Sequence, residues 1–226
     1  MGDRVMMPSM DLKPETPWDG TPDISARIVV AINRVASVLR AGMWEFATAE
    51  NLNPTQADIL QLLRDRTHGV RLSWLAVQLS VSAASASDSV AALVAKGLVR
   101  KDRAEDDKRA TALWLTDAGK TLAEKQAKAL GFADDAAAAL DREVQERLLV
   151  GLFKLIAELQ KTERFPALRA CLSCRYFEAN KFPGSPAPHH CALVKAPLPI
   201  AFLRIDCAEQ EPTDPVTERR NWAAFA

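Results

Sequence analysis

The stretch from Ser73 to Leu115 constrains this chain most, because its periodicity switches from helical to alternating at a single glycine. Ser73 can cap a short helix running to about Ser80, Val81 lies in a tight turn, and Ser82 can cap a second helix from Ala83 to Lys96. Gly97 follows in the position favoured for a left-handed C-cap. Leu98-Val99-Arg100-Lys101 then reads as a short strand, and Thr111-Ala112-Leu113-Trp114-Leu115 alternates as its partner. The tip between them, Asp102 to Arg109, is highly charged. The order predicted is helix, turn, helix and a two-stranded wing.

The flanks are helical. Ile28, Ile32, Val35 and Leu39 mark one face of a helix from Ile24 to about Glu50. Asn53-Pro54-Thr55-Gln56 carries a capping box with proline at the first helical position, and opens a helix bearing Ile59, Leu60, Leu62 and Leu63. Thr116 or Asp117 caps a long Ala-rich helix to about Ala139. A last helix, Asp141 to Lys161, carries Leu148, Leu152, Leu155 and Leu159 on one face. A small winged helix cannot bury both terminal stripes by itself. Mutual burial across a two-fold axis is the economical arrangement, and completion of a monomeric core is its competitor. With 48% hydrophobic residues and only 6% aromatic, the composition suits an Ala- and Leu-rich helical protein. The expected fold is mainly α: a winged helix-turn-helix with terminal dimerisation helices over residues 23–164. A flexible arm precedes it (1–22), and a cysteine-rich, metal-binding extension follows (165–226).

Lys+Arg and Asp+Glu both total 29, so a neutral whole leaves nucleic-acid binding to local fields. No apolar run is long enough to cross a bilayer. The acidic, proline-bearing start has no apolar segment of the kind a signal peptide needs, which points to a reducing cytoplasm. Neither a Gly-rich phosphate loop nor a nucleophile motif is present, so no enzyme is expected.

Four segments together resemble the multiple-antibiotic-resistance regulators, the MarR family. Leu52-Asn53-Pro54-Thr55-Gln56-Ala57-Asp58-Ile59-Leu60 is similar to the helix before that family's reading head. Leu75-Ala76-Val77-Gln78-Leu79-Ser80-Val81-Ser82 is similar to its helix-turn-helix, and Leu93-Val94-Ala95-Lys96-Gly97-Leu98-Val99 to the exit from its recognition helix. Asp107-Lys108-Arg109, followed by Leu113-Trp114-Leu115-Thr116-Asp117-Ala118-Gly119, resembles its wing signature. The resemblance covers about Ile24 to Lys161. It implies a homodimer that reads a pseudo-palindromic double-stranded operator. In that setting Ser82, Ala83, Ser85, Ala86, Ser87 and Ser89 would enter the major groove on a slim helix. The resemblance also implies that Asp107 orients Arg109 and that the Arg109 guanidinium enters the minor groove, with Arg103 and Lys108 on phosphates. Many proteins of this kind bind small aromatic effectors. Trp44, Trp74 and Trp114 could line such a crevice, although core packing suits each of them better.

The four cysteines lie beyond the resemblance. Cys171 and Cys174 form C-x2-C, Cys191 follows after sixteen residues and Cys207 after fifteen more. A C-x2-C pair turns two thiolates toward one centre, as zinc and iron–sulfur clusters both require. There is no second C-x2-C, which departs from a paired-knuckle zinc site. The expected ligands are Cys171, Cys174, Cys191 and Cys207, holding an iron–sulfur cluster, most simply [4Fe–4S], with zinc as the alternative and free or redox thiols as a third. His189 or His190 can substitute as a ligand. Such a centre would modulate DNA affinity in a regulator, whereas an electron carrier or structural-zinc protein would use a degenerate winged helix for protein interaction.

Overall fold

The computed structural model describes residues 20–66, 68–104, 107, 109–162 and 166–225. The chain divides into two compact units, Met1–Ala41 and Gly42–Ala226. Among the described residues of the first unit, α1 (Ile24–Ala49) begins, and it presents Ile28, Val29, Val35 and Val38 to solvent.

The second unit carries α2 (Pro54–Arg64), α3 (Leu72–Gln78), α4 (Ala83–Ala95), β1 (Val99–Arg103), β2 (Thr111–Leu115), α5 (Asp117–Ala129), α6 (Gly131–Ala138) and α7 (Arg142–Lys161). The capping box at Asn53 forms as its sequence predicts: its Oδ1 accepts from the Gln56 N–H at 2.8 Å, while Gln56 Oε1 accepts from the Asn53 N–H. Ser82 caps α4 by accepting from the Ser85 N–H. The reading around Ser73 is corrected: α3 starts two residues earlier, with Arg71 at the cap in place of Ser73 and no side-chain cap bond. Val70 pairs with Leu113 through two main-chain hydrogen bonds, so the chain enters α3 directly from the wing's edge. A left-handed Ser80 makes the turn, and α3 and α4 meet at 111°. Gly97, at φ 69°, ends α4 and releases the chain into β1.

β1 and β2 pair antiparallel from Val99↔Leu115 to Arg103↔Thr111. Ile59, Leu60, Leu75, Val90, Leu93 and Val99 fill the core beneath them. The long helix expected after Thr116 is two helices. Buried Gln126 ties α5 to α2 through the Ala57 carbonyl, and the run breaks at Leu130, whose N–H is shared between two carbonyls, just before Gly131. Glycine there weakens helix continuation by about 1 kcal/mol relative to alanine.

The segment after residue 165 holds more regular structure than its sequence announces. β3 (Phe177–Glu178), β4 (His189–Cys191) and β5 (Ala196–Leu198) form a small antiparallel sheet, and α8 (Pro215–Phe225) closes the chain. A second apolar cluster joins this segment to α7. Phe153 is 0% exposed among Leu172, Cys174, Phe177 and Leu203, with the Trp222 and Phe225 rings 6.1 and 5.6 Å from its own. The Asn221 side chain donates to the Leu172 carbonyl, and the Ser173 hydroxyl to Glu218, fixing α8 over the C-x2-C turn. Among the described residues no single helix is long and apolar enough to cross a membrane.

Candidate functional site

Two neighbourhoods carry the chemistry. The first is the surface formed by the start of α4 and the wing. Ser82, Ala83 and Ser85 are exposed on the first turn, and Ser87 and Ser89 are half-buried. Ala86 is 0% exposed and is therefore removed from the contact set: it faces inward, as the fourth residue after an outward-facing helix start can. The hydroxyls of Ser82 and Ser85 lie 2.9 Å apart, and the first-turn N–H groups of a helix this long attract anions.

Arg103, Asp107 and Arg109 are exposed. Lys108 lies outside the described residues. Near the wing tip the Ala104 N–H donates to the Ala110 carbonyl, and the Ala110 N–H to the Asp107 carbonyl. Asp107 Oδ1 accepts from the main-chain N–H of Arg109 at 2.9 Å. Asp107 therefore shapes the turn that carries Arg109, acting on its backbone. At the wing's base Arg100 pairs with Asp102 and lies 4.7 Å above the Trp114 ring. Trp74 packs against the core under Arg66, but Trp44 is 62% exposed, so core packing does not describe it.

The second neighbourhood gathers all four cysteines around one cavity of about 40 Å³. All four are free thiols. Cys171 opens a single 3₁₀ turn that delivers Cys174; Cys191 ends β4 opposite Phe177; Cys207 sits in the loop held by Arg169. Arg169 accepts from the Cys207 N–H through its carbonyl, and its guanidinium donates to the Cys207 and Ala208 carbonyls. The Arg204 main-chain N–H points at Cys171 Sγ at 3.3 Å, and its guanidinium lies 3.7 Å from Cys207 Sγ. Burial pushes the Cys171 thiol up, the Arg204 N–H opposes this, and the other three cysteines push it up further. Among the described residues, no three His, Cys, Asp or Glu side chains are arranged to hold a single metal ion.

The two histidines do not join the thiols in the cavity wall. His189 is buried, accepts from the Asn180 N–H, and is kept neutral by burial; His190 pairs with Glu178. Sequence reasoning missed Arg169 and Arg204, because nothing in cysteine spacing marks a cation brought in from elsewhere in the loop.

A sequence model described as the MarR family matches residues 50–110. No curated protein matches the chain. The fold is similar to solved structures at low identity. A MarR-family transcriptional regulator from Silicibacter pomeroyi is 20% identical, with a TM-score of 0.53, covering 61% of this chain and 92% of that one. FabT from Streptococcus pneumoniae, solved in complex with DNA, is 17% identical, with a TM-score of 0.52 and coverage of 62% and 99%. CouR from Rhodococcus jostii RHA1, solved with p-coumaroyl-CoA, is 16% identical, with a TM-score of 0.51 and coverage of 65% and 98%. Residues 50–110 thus match the MarR family model, and the winged helix-turn-helix built around them has the fold of these solved regulators.

Proposed function

We propose that this chain is a sequence-specific, double-stranded-DNA-binding transcriptional regulator that works as a homodimer on a pseudo-palindromic operator, with its affinity modulated through a four-cysteine metal centre. The observation that carries the DNA reading is the paired exposure of the α4 first turn and the Arg109-bearing wing on one winged helix. The helix offers small side chains and N–H groups suited to a major groove, and the guanidinium suits the narrow, negative minor groove beside it. FabT, of like fold, was solved with DNA, which supports the same use of the fold here.

Exposed apolar side chains support the dimer. α1 presents Ile28, Val35 and Val38, and α7 presents Val144 and Leu148; such stripes are normally buried by a partner. A second copy would set two α4 helices one helical turn of DNA apart. CouR, also of like fold, was solved with an aromatic acyl-CoA, which supports a small-molecule effector as a further input.

The test is a titration of promoter DNA from the protein's own locus. Wild type should bind with a salt-dependent affinity, and Arg109→Ala should weaken binding by about tenfold or more at constant salt, with the dimer intact. Equal affinity in the two proteins would remove the wing from the reading.

A further inference from the structure

The cysteine cavity carries an inference that deepens, and rests on, the reading of the extension as a metal centre. The four thiols arrive from three separate stretches: a 3₁₀ turn, the end of a strand and a loop. They face a common void whose other walls are Tyr176, Phe177, Leu193, Leu198 and Glu209. A single zinc ion holds each thiolate at about 2.3 Å, which draws four sulfurs into mutual contact. Among the described residues no three of these side chains are grouped around one metal-ion position, although all four border the same space. A cubane core fits such an arrangement better, because each thiolate binds its own iron and the core's atoms keep the four thiolates apart.

We propose that Cys171, Cys174, Cys191 and Cys207 bind one [4Fe–4S] cluster and that Arg204 stabilises it through two N–H···S contacts. Four Cys–SH groups and a [4Fe–4S]2+ core give the tetrathiolate complex, of net charge −2, and release four protons to solvent. A dianion among largely apolar walls that also include Glu209 requires nearby donors. Arg204 provides a main-chain N–H toward Cys171 and a cationic side chain toward Cys207. Hydrogen bonds to cluster sulfurs are a principal lever on stability and potential.

The full-length chain is reconstituted without oxygen from equal amounts of ferrous and ferric iron and sulfide, then assayed for iron, acid-labile sulfide, zinc and visible absorption. The expected product is brown, is bleached by dithionite and holds about four irons and four sulfides per chain. Cys191→Ala should lose the tetranuclear spectrum. Arg204→Ala, which keeps all four thiols, should assemble the cluster but lose it several-fold faster in air. The proposal is overturned by a colourless protein retaining one zinc and no iron, or by a Cys191→Ala protein with unchanged iron, sulfide and spectrum. Promoter binding, measured on the same preparation, separates the two readings. Iron-free protein that binds DNA overturns the cluster alone. Protein that binds the cluster but has no DNA affinity either with or without it supports the cluster and overturns the regulator.

Discussion

Gly119 sits so close to the Leu98 carbonyl that a Cβ there would stand 2.0 Å from its oxygen. The approach is set by Thr116, whose hydroxyl donates to the Gly97 carbonyl and accepts from the Gly119 N–H. The obstacle is backbone, so a rotamer change cannot relieve it. Gly119→Ala should destabilise the winged helix by about 3 kcal/mol or more, read by urea denaturation. An unchanged midpoint would show that β1 and α5 can separate freely. At the start of α4, Ser82→Ala should cost about 1 kcal/mol through the lost cap, before any effect on binding. Denaturation and DNA titration on the same variant would therefore separate a folding role from a reading role. Asp107 belongs to the same argument: it holds the Arg109 backbone, so Asp107→Ala should relax the turn while leaving the guanidinium in place.

At the scale of elements, α7 is asked to satisfy two partners. Phe153 and Leu149 pack against the extension, while Leu148 and Val144 face solvent. Phe153→Ala should remove about 3–5 kcal/mol of packing and free the extension for proteolysis before the winged helix unfolds. Leu148→Glu should leave thermal stability of the single subunit nearly unchanged but yield monomers in light scattering, since it alters the outward face alone. A dimer surviving that change would place the partner elsewhere. The helix itself was legible from its leucine steps, but the inward role of Phe153 was not, because the surface that covers it is built from residues some twenty to seventy positions later. The three short strands escaped for a related reason: elements of two or three residues leave no period to read, while α8, eleven residues long, carries only a weak apolar stripe.

At the scale of the molecule, the cysteine loop touches the reading head directly. Asp206, beside Cys207, pairs with Arg66 at 2.8 Å. The Arg66 side chain is only 5% exposed, donates to the Leu62 carbonyl of α2 and lies 4.7 Å above the Trp74 ring of α3. Burial pulls the Arg66 pKa down, Asp206 opposes this and Arg169 adds to it, so the guanidinium depends on its carboxylate. Gln78, at the end of α3, also donates to the Ala167 carbonyl. A change in the Cys207 loop therefore has a physical route to the helix-turn-helix that bypasses α7. If the centre regulates DNA affinity along this route, metal removal should change operator binding by about fivefold or more in wild type. The same removal should change it much less in Asp206→Asn. An equal response in both proteins would assign the coupling to α7.

Local chemistry determined what lay close together in the chain. The Asn53 and Ser82 caps, the Gly97 stop and the alternating strands define the winged helix because each acts over a few residues. Tertiary structure alone decided that Ala86 turns inward, that Asp107 grips a backbone N–H, that Arg204 arrives at the thiols and that Arg169 holds the main chain at Cys207. Those outcomes depend on contacts between distant segments, whose directions are set only when the chain closes on itself and which no local pattern encodes.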